Sequence, residues 1–236
     1  MPTTAPFISP VDATSIATHT WGDDLSAPRG VVQIAHGIAE HGLRYRRLAE
    51  ALVAAGYRVH AVDHRGHGQS VDSADQLGNF DFAALVADVA AFGKDLADRS
   101  PDLPLFLIAH SMGSFAAQEV ILDHSDQYAG AVLSGSTALD VLGAELAKAE
   151  GPVGLDAFNA GFEHRTGYEW LSRDEAEVDA YVADPLSGFE LPDSAVPQLF
   201  GGASRLGDPE ALAGIRRDLP VLLVSGDADP ISGAGS

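Results

Sequence analysis

Short apolar runs alternate with longer segments of helical periodicity along most of the chain. The runs that predict strands cover residues 15–21, 31–35, 57–62, 104–109, 129–133 and 220–224. The segments that predict helices cover residues 43–55, 82–96, 113–124, 174–182 and 208–215. This alternation predicts a parallel sheet, and nearly continuous apolar strands predict that helices cover both of its faces. The predicted fold class is therefore α/β.

The alternation stops after Ser136 and returns only near residue 208. The stretch 137–205 is rich in Gly, Pro, Asp and aromatic residues, and it carries only short helical pieces. This composition predicts an insertion and not a further strand-helix unit. Because no internal repeat or low-complexity linker divides the chain, we expect one domain, residues 1–236, with the insertion inside it.

The strongest chemical signal is the sequence AHSMG at 109–113, between an apolar run and a helical segment. A sharp strand-to-helix turn there would lift the hydroxyl of Ser111 out of the sheet, and small neighbours allow tight backbone packing. Ala109 stands where the usual motif has glycine, and it is also small. Ser111 is therefore the candidate nucleophile, with His110 and Gly113 in support. The alternative is an ordinary turn whose serine only caps the helix.

A second loop follows the first strongly apolar strand and reads HGIAEH from His36 onwards. A backbone N–H in such a loop can pair with the N–H after the nucleophile to bind a developing oxyanion. This arrangement predicts Ile38 and Met112 as the two donors, with His36 and Gly37 in support. The alternative is a tight turn in which Gly37 serves only the backbone.

The last apolar run is followed by SGDADP at 225–230. In triads of this kind the acid follows the nucleophile along the chain. Either aspartate could be the acid. We favour Asp229, and Asp227 then shapes or caps the loop. In the alternative interpretation both aspartates only stabilise the turn.

The composition restricts the possible partners and compartment. The 34 acidic and 14 basic residues give a formal net charge of −20, which disfavours nucleic acid as a partner. Without cysteine the chain can form no disulfide, and the absence of a signal-like N-terminus and of long apolar runs predicts a cytoplasmic protein with no membrane span. The nearby histidines His60, His64 and His67 lack metal-ligand spacing. We therefore expect neither a metal nor a cofactor.

Together these motifs resemble the lysophospholipase and monoacylglycerol lipase branch of the α/β hydrolases, also described as serine aminopeptidase S33-like. The matching stretches are HGIAEHGLRY at 36–45, DHRGHGQS at 63–70, AHSMGS at 109–114, SGDADP at 225–230 and WLSRDEAEVDAYVADPLSGF at 170–189. The resemblance implies the α/β-hydrolase fold, Ser111 as nucleophile, Asp229 as acid, Ile38 and Met112 as oxyanion donors, and a cap at 137–205. It also implies a bacterial serine esterase for a small ester or lipid of the monoacylglycerol or lysophospholipid type. A peptidase or amidase would use the same machinery.

The sequence departs from the family pattern in one respect. The family's catalytic histidine lies beyond the acid, but the last histidine here is His164, inside the predicted insertion. We therefore expect a C-terminally truncated chain that lacks the final strand, helix and histidine and is inactive or weakly active. The strand at 220–224 would then form an apolar edge. A non-catalytic fragment or ligand-binding relic is the competing interpretation, and no sequence feature specifically supports a protein-interaction module.

Overall fold

A seven-stranded sheet forms the centre of the computed structural model, which describes residues 1–146 and 158–231. The spatial order of the strands is β1-β2-β4-β3-β5-β6-β7. The strands are β1 (Thr3–Ile8), β2 (Ser15–Trp21), β3 (Gly30–Ala35), β4 (Tyr57–Val62), β5 (Leu105–His110), β6 (Gly130–Ser134) and β7 (Val221–Val224). β2 pairs antiparallel with β1 and with β4, and all other pairs are parallel. The predicted mostly parallel sheet is confirmed.

Eight α-helices are described between these strands and in the predicted insertion. They are α1 (Arg46–Ala54), α2 (Phe82–Arg99), α3 (Met112–His124), α4 (Leu139–Leu146), α5 (Glu175–Ala183), α6 (Ala195–Gln198), α7 (Ala203–Leu206) and α8 (Pro209–Leu212). Asp81 caps α2, because its carboxylate accepts a hydrogen bond from the backbone N–H of Ala84 at 2.9 Å. The helix predicted at 43–55 is divided into a 3₁₀ turn, Gly42–Tyr45, and α1.

Helices cover both faces of the sheet, and the alternation along β3 shows how. Val31 and Ala35 belong to the cluster that α2 and α3 cover. Val32 and Ile34 point the other way, into a smaller cluster beneath α1. Since side chains alternate along a strand, each central strand contributes to both cores. This packing holds the carboxyl ends of β3, β5 and β6 side by side.

The predicted insertion, residues 137–205, contributes no strand in the part that the structure describes. It supplies α4 to α7 and a 3₁₀ turn at Glu169–Leu171. Residues 147–157 of this stretch lie outside the described residues. Its role as a cap stays a prediction.

Candidate active site

Ser111 lies at the turn between β5 and α3, and its backbone is in an unfavourable conformation. Its φ of +49° and ψ of −122° place a non-glycine residue where L-amino acids are strained. The N–H of Ser111 donates to the carbonyl of Ser134 at 2.9 Å, and its own carbonyl accepts from the N–H of Phe115 at 3.0 Å. The turn is therefore fixed on both sides, and the packing around it offsets the conformational strain. Ser111 itself is half-buried.

Gly113 allows α3 to approach the end of β3. A Cβ atom at this position would lie 2.5 Å from the carbonyl oxygen of His36 and would also collide with that of Ala35. Real Cβ atoms do not come this close to backbone oxygen, so only glycine fits without movement of the backbone. The close approach holds the loop after β3 against the turn that carries Ser111.

The loop 36–41 is organised by the carboxylate of Glu40, which is buried. Its Oε1 accepts hydrogen bonds from the N–H of Gly37 at 2.6 Å and from the hydroxyl of Tyr45 at 2.7 Å. Its other oxygen pairs with the guanidinium of Arg44. A Cβ atom at Gly37 would lie 3.2 Å from the Cβ of Ser111, so the loop touches the candidate nucleophile.

His36 is buried and has both ring nitrogens engaged. Nδ1 donates to the carbonyl of Gly37 at 2.7 Å, so Nε2 is left as the acceptor for the N–H of His64 at 2.9 Å. This pattern needs the neutral ring, and burial lowers the pKa of His36 well below its usual range. His36 therefore stabilises the loop through two hydrogen bonds and has no nitrogen available to act as a base.

The neighbouring imidazoles form a buried cluster with His36. The rings of His36 and His64 lie 4.2 Å apart, and those of His36 and His67 5.3 Å. Burial lowers the pKa of His64 to about 3 and that of His67 to about 4. Across the described residues, no group of three or more His, Asp or Glu side chains is arranged to hold a metal ion.

Asp229 and His110 both lie beside Gly135, close to the carboxyl ends of β5, β6 and β7. A Cβ atom at Gly135 would lie 2.9 Å from Cε1 of His110 and 3.4 Å from Oδ2 of Asp229. The carboxylate of Asp229 also accepts from the hydroxyl of Ser225 and from the N–H of Ile231, both at 2.9 Å. Asp227 is exposed, whereas Asp229 is half-buried. The role of Asp229 as the acid stays a prediction.

A cleft of about 220 Å³ opens beside Ser111. It is lined by Gly37, Ile38, Glu40, Arg44, Tyr45, His110, Ser111, Trp170, Leu171 and Tyr181. The lining combines apolar and aromatic side chains with a carboxylate, a guanidinium and two phenols. Residues from the loop after β3, from the serine turn and from the predicted insertion thus meet at one cavity.

The sequence pattern of the family described as "Serine aminopeptidase, S33" matches residues 26–236. The chain belongs to this family. The Monoacylglycerol lipase of Mycolicibacterium smegmatis is 33% identical over 230 residues, which cover 95% of this chain and 79% of that protein. The Monoglyceride lipase of Homo sapiens is 31% identical over 215 residues, covering 86% of this chain but only 66% of its own length.

Solved structures confirm the α/β-hydrolase fold of this S33 family member. A thermostable carboxyl esterase from Bacillus coagulans superposes with a TM-score of 0.81 at 24% identity, covering all of this chain and 83% of its own. A soluble variant of the monoglyceride lipase from Saccharomyces cerevisiae superposes with a TM-score of 0.74 at 20% identity, covering 98% of this chain and 80% of its own. At these identities the likeness concerns the fold.

Sequence reasoning missed several residues of the site in this S33 family member. Glu40, Arg44 and Tyr45 lie within a family motif that assigns them no separate role, although their spacing places them on one short segment after β3. Tyr181 lies in the insertion, and no pattern there singles it out. Its contribution depends on a contact between distant parts of the chain, which periodicity cannot indicate.

Among the residues that the structure describes, no helix combines the length and apolar character needed to cross a membrane.

Proposed function

We propose that the chain is a serine-dependent hydrolase of carboxylic esters, with Ser111 as its nucleophile. The observation that carries this proposal is the strained φ of +49° at Ser111, in a strand-to-helix turn that lines a cleft. Strain of this kind persists only where the surroundings enforce it, and it is concentrated at functional sites. Family membership supports the same reaction class.

In the proposed reaction the hydroxyl oxygen of Ser111 attacks the ester carbonyl carbon as an imidazole takes its proton. The N–H groups of Ile38 and Met112 stabilise the tetrahedral oxyanion, and Met112 also begins α3, whose dipole favours negative charge there. The bond to the alcohol breaks as that oxygen takes up the proton. Water then attacks the acyl-enzyme, releases the carboxylic acid and restores the serine.

Asp229 is proposed to orient the imidazole. The family resemblance places that imidazole beyond the acid, whereas residues 230–236 include no histidine. Among the described histidines, His110 lines the cleft with Ser111. We therefore propose weak turnover for the 236-residue chain. Without a triad base, the oxyanion hole and substrate binding alone give a rate enhancement of roughly 10³–10⁴ over the reaction in water.

The proposed substrate is a small ester with an apolar acyl chain and a polar alcohol. Ile38, Trp170 and Leu171 offer an apolar wall for an acyl chain, whereas Glu40 and Arg44 offer hydrogen bonds to hydroxyl groups. Monoacylglycerols have this division of character, and lysophospholipids share it. The names of the relatives agree with the first of these.

The test of the nucleophile is hydrolysis of p-nitrophenyl butyrate together with labelling by a fluorophosphonate. Ser111→Ala should abolish both signals, while Ser204→Ala, at an exposed position outside the cleft, should leave both unchanged. Comparable thermal unfolding of both variants shows that the fold is retained. Hydrolysis that survives Ser111→Ala would refute the proposal.

The acid assignment has its own matched pair. Asp229→Asn is made in a chain extended to the histidine that the family resemblance places beyond the acid, and it should lower kcat by at least about 10-fold, because that imidazole loses the carboxylate that orients it. Asp227→Asn removes an exposed carboxylate from the same loop and should change kcat less than about 2-fold. The opposite ranking of the two variants would move the acid to Asp227.

A non-catalytic, ligand-binding chain is the second candidate, and the absence of a histidine after Asp229 favours it. It predicts that a non-hydrolysable monoacylglycerol ether binds the chain while no ester is cleaved. Isothermal titration with the ether, beside the hydrolysis assay, separates the two functions. Binding without any Ser111-dependent hydrolysis would establish the second candidate.

A further inference from the structure

The peptide of Ala39 sits in a strained position directly after the proposed oxyanion donor Ile38. Its φ of +55° is in the left-handed region, which is unfavourable for any residue that has a Cβ atom. Ala39 is fully buried, and the loop 36–41 forms neither a helix nor a strand. Contacts from outside the loop also support this peptide.

Two hydrogen bonds supply that support, and both come from the predicted insertion. The hydroxyl of Tyr181 and the N–H of Gly188 each donate to the carbonyl of Ala39 at 2.9 Å. Both lone-pair directions of one carbonyl oxygen are thus satisfied by residues more than 140 positions further along the chain. The N–H of Ile38 lies between this fixed carbonyl and the N–H of Gly37, which Glu40 holds, so anchoring the loop on both sides restricts where the N–H of Ile38 can point.

Tyr181 is itself held firmly. It is buried on α5, its ring centroid lies 5.0 Å from that of Tyr168, and the guanidinium carbon of Arg44 lies 4.7 Å above its ring. The hydroxyl of Tyr168 donates to the carbonyl of Gly188 at 3.1 Å, which ties the second donor to the same unit. The two donors to Ala39 therefore act from one packed assembly.

The same part of the insertion also binds the loop at its far end. Nε2 of His41 lies 2.8 Å from Oδ2 of Asp184, which follows α5 directly. Glu177, on α5, forms an ion pair with Arg47 at the start of α1. Contacts before and after residue 40 thus fix the loop against α5.

We propose that Tyr181 is a positioning residue, whose hydroxyl fixes the Ala39 peptide and through it the Ile38 N–H that receives the oxyanion. This inference rests on the proposed esterase function. Donors to an oxyanion are effective because they are already in place when charge develops, so a loop that relaxes loses rate and not substrate binding. The role of Tyr181 is exerted through Ile38.

The experiment compares Tyr181→Phe with Tyr128→Phe. Tyr181→Phe keeps the ring contacts and removes only the hydroxyl, while Gly188 still satisfies the Ala39 carbonyl. Tyr128 is an equally buried tyrosine whose hydroxyl donates to Gln33 in the core, outside the cleft. Three quantities are measured on each full chain: kcat and KM for p-nitrophenyl butyrate, amide hydrogen exchange at residues 37–40, and the thermal unfolding midpoint.

We expect Tyr181→Phe to lower kcat about 5- to 20-fold with KM changed less than about 2-fold, as for loss of an interaction made only in the transition state. Exchange at Ile38 and Ala39 should accelerate, and Tyr128→Phe should show neither effect at a similar unfolding midpoint. Unchanged exchange at Ile38 would overturn the inference, since a fall in kcat would then reflect direct substrate contact. Faster exchange with an unchanged kcat would overturn it as well.

Amide exchange does not depend on turnover. If the parent chain shows no Ser111-dependent hydrolysis, the proposed function fails, while the exchange comparison still reports whether Tyr181 holds the loop. If the parent chain hydrolyses the ester and the exchange rates of the two tyrosine variants are equal, only the inference about Tyr181 fails.

Discussion

Strands β5 and β7 flank the same neighbour, β6, and pair with it in the same parallel sense, yet their surroundings are opposite. On β5, Leu107 is fully buried, whereas Leu223 on β7 is 71% exposed. Both pair with β6, Leu107 with Ala131 and Leu223 with Leu133. Hydrogen bonding to a neighbouring strand therefore does not make a strand part of the core. A strand belongs to the core when other elements cover its faces.

The difference matters because the two proposed catalytic groups depend on these two strands. Ser111 follows β5 and is held by α3 and the loop after β3. Asp229 follows β7, all four residues of which are exposed. Since local stability depends on the number of buried apolar contacts, we expect the loop of Asp229 to open more readily than the turn of Ser111.

The largest expected effect tests the tight packing at the serine turn. Gly113→Ala places a Cβ atom against two carbonyl oxygens of the loop after β3, so we expect a loss of about 3–5 kcal/mol in the free energy of unfolding. Gly161→Ala is the matched control, because a Cβ atom there has no neighbour within 4 Å among the residues that the structure describes, and its effect should stay within about 1 kcal/mol. Urea unfolding measures both. Equal effects would mean that the turn can relax.

The next effect compares two leucines that face each other across β6 and β7. Leu133 is 5% exposed and its register partner Leu223 is 71% exposed. Leu133→Ala should cost about 2–5 kcal/mol, because it leaves a cavity in the core. Leu223→Ala should cost less than about 1 kcal/mol, because it removes little buried surface. Similar costs for the two variants would show that β7 is covered in solution.

The sequence predicted those parts of the fold whose side chains alternate or form apolar runs. Tyr57–Val62 was located to the residue for this reason. Thr3–Ile8 was missed, because five of its six residues are exposed and Pro6 argues against a strand interior. The helix predicted at 208–215 ends early, at Leu212. Helix propensity and apolar spacing predict a helix as far as residue 215, but they do not show where tertiary packing ends it.

The candidate site divides in the same way. Ser111 and the loop from His36 could be predicted, because a strand, a turn and a helix surround them within a few residues. The hydrogen bond from Tyr181 to the carbonyl of Ala39 could not be predicted, because it joins residues 142 positions apart through one hydroxyl group. Glu40 stands in between: its partners are local, but its burial depends on the whole fold.

A smaller effect tests how dry the region beside the serine turn is. Burial lowers the pKa of His64 to about 3 and that of His67 to about 4, while the unfolded side chains titrate near 6.5. Between about pH 6.5 and 4 the unfolded chain therefore binds more protons. The free energy of unfolding should fall as the pH falls, by up to about 1.4 kcal/mol per pH unit for each such histidine.

Urea unfolding at several pH values measures this slope. His67→Gln should reduce it, whereas His164→Gln, at an exposed position, should leave it unchanged. Asp63 does not contribute within this window: although burial alone would raise its pKa, hydrogen bonds from His19 and from backbone amides lower it below its usual value. A slope that is the same in both variants would indicate that water reaches the ring of His67.

The smallest effect on stability concerns the exposed edge itself. Val221, Leu222, Leu223 and Val224 are 44–71% exposed, and the first two line an apolar depression of about 400 Å³. Unpaired strand edges with apolar side chains promote association, so the 236-residue chain should self-associate at micromolar concentration. Leu223→Lys should shift sedimentation toward the monomer while changing the free energy of unfolding by less than about 0.5 kcal/mol, since a charge on an exposed edge strand opposes pairing at little cost to the fold. Val141→Lys, at another exposed apolar residue outside the sheet, should not alter sedimentation. If both lysine variants associate like the parent chain, β7 is not the surface through which the chains meet.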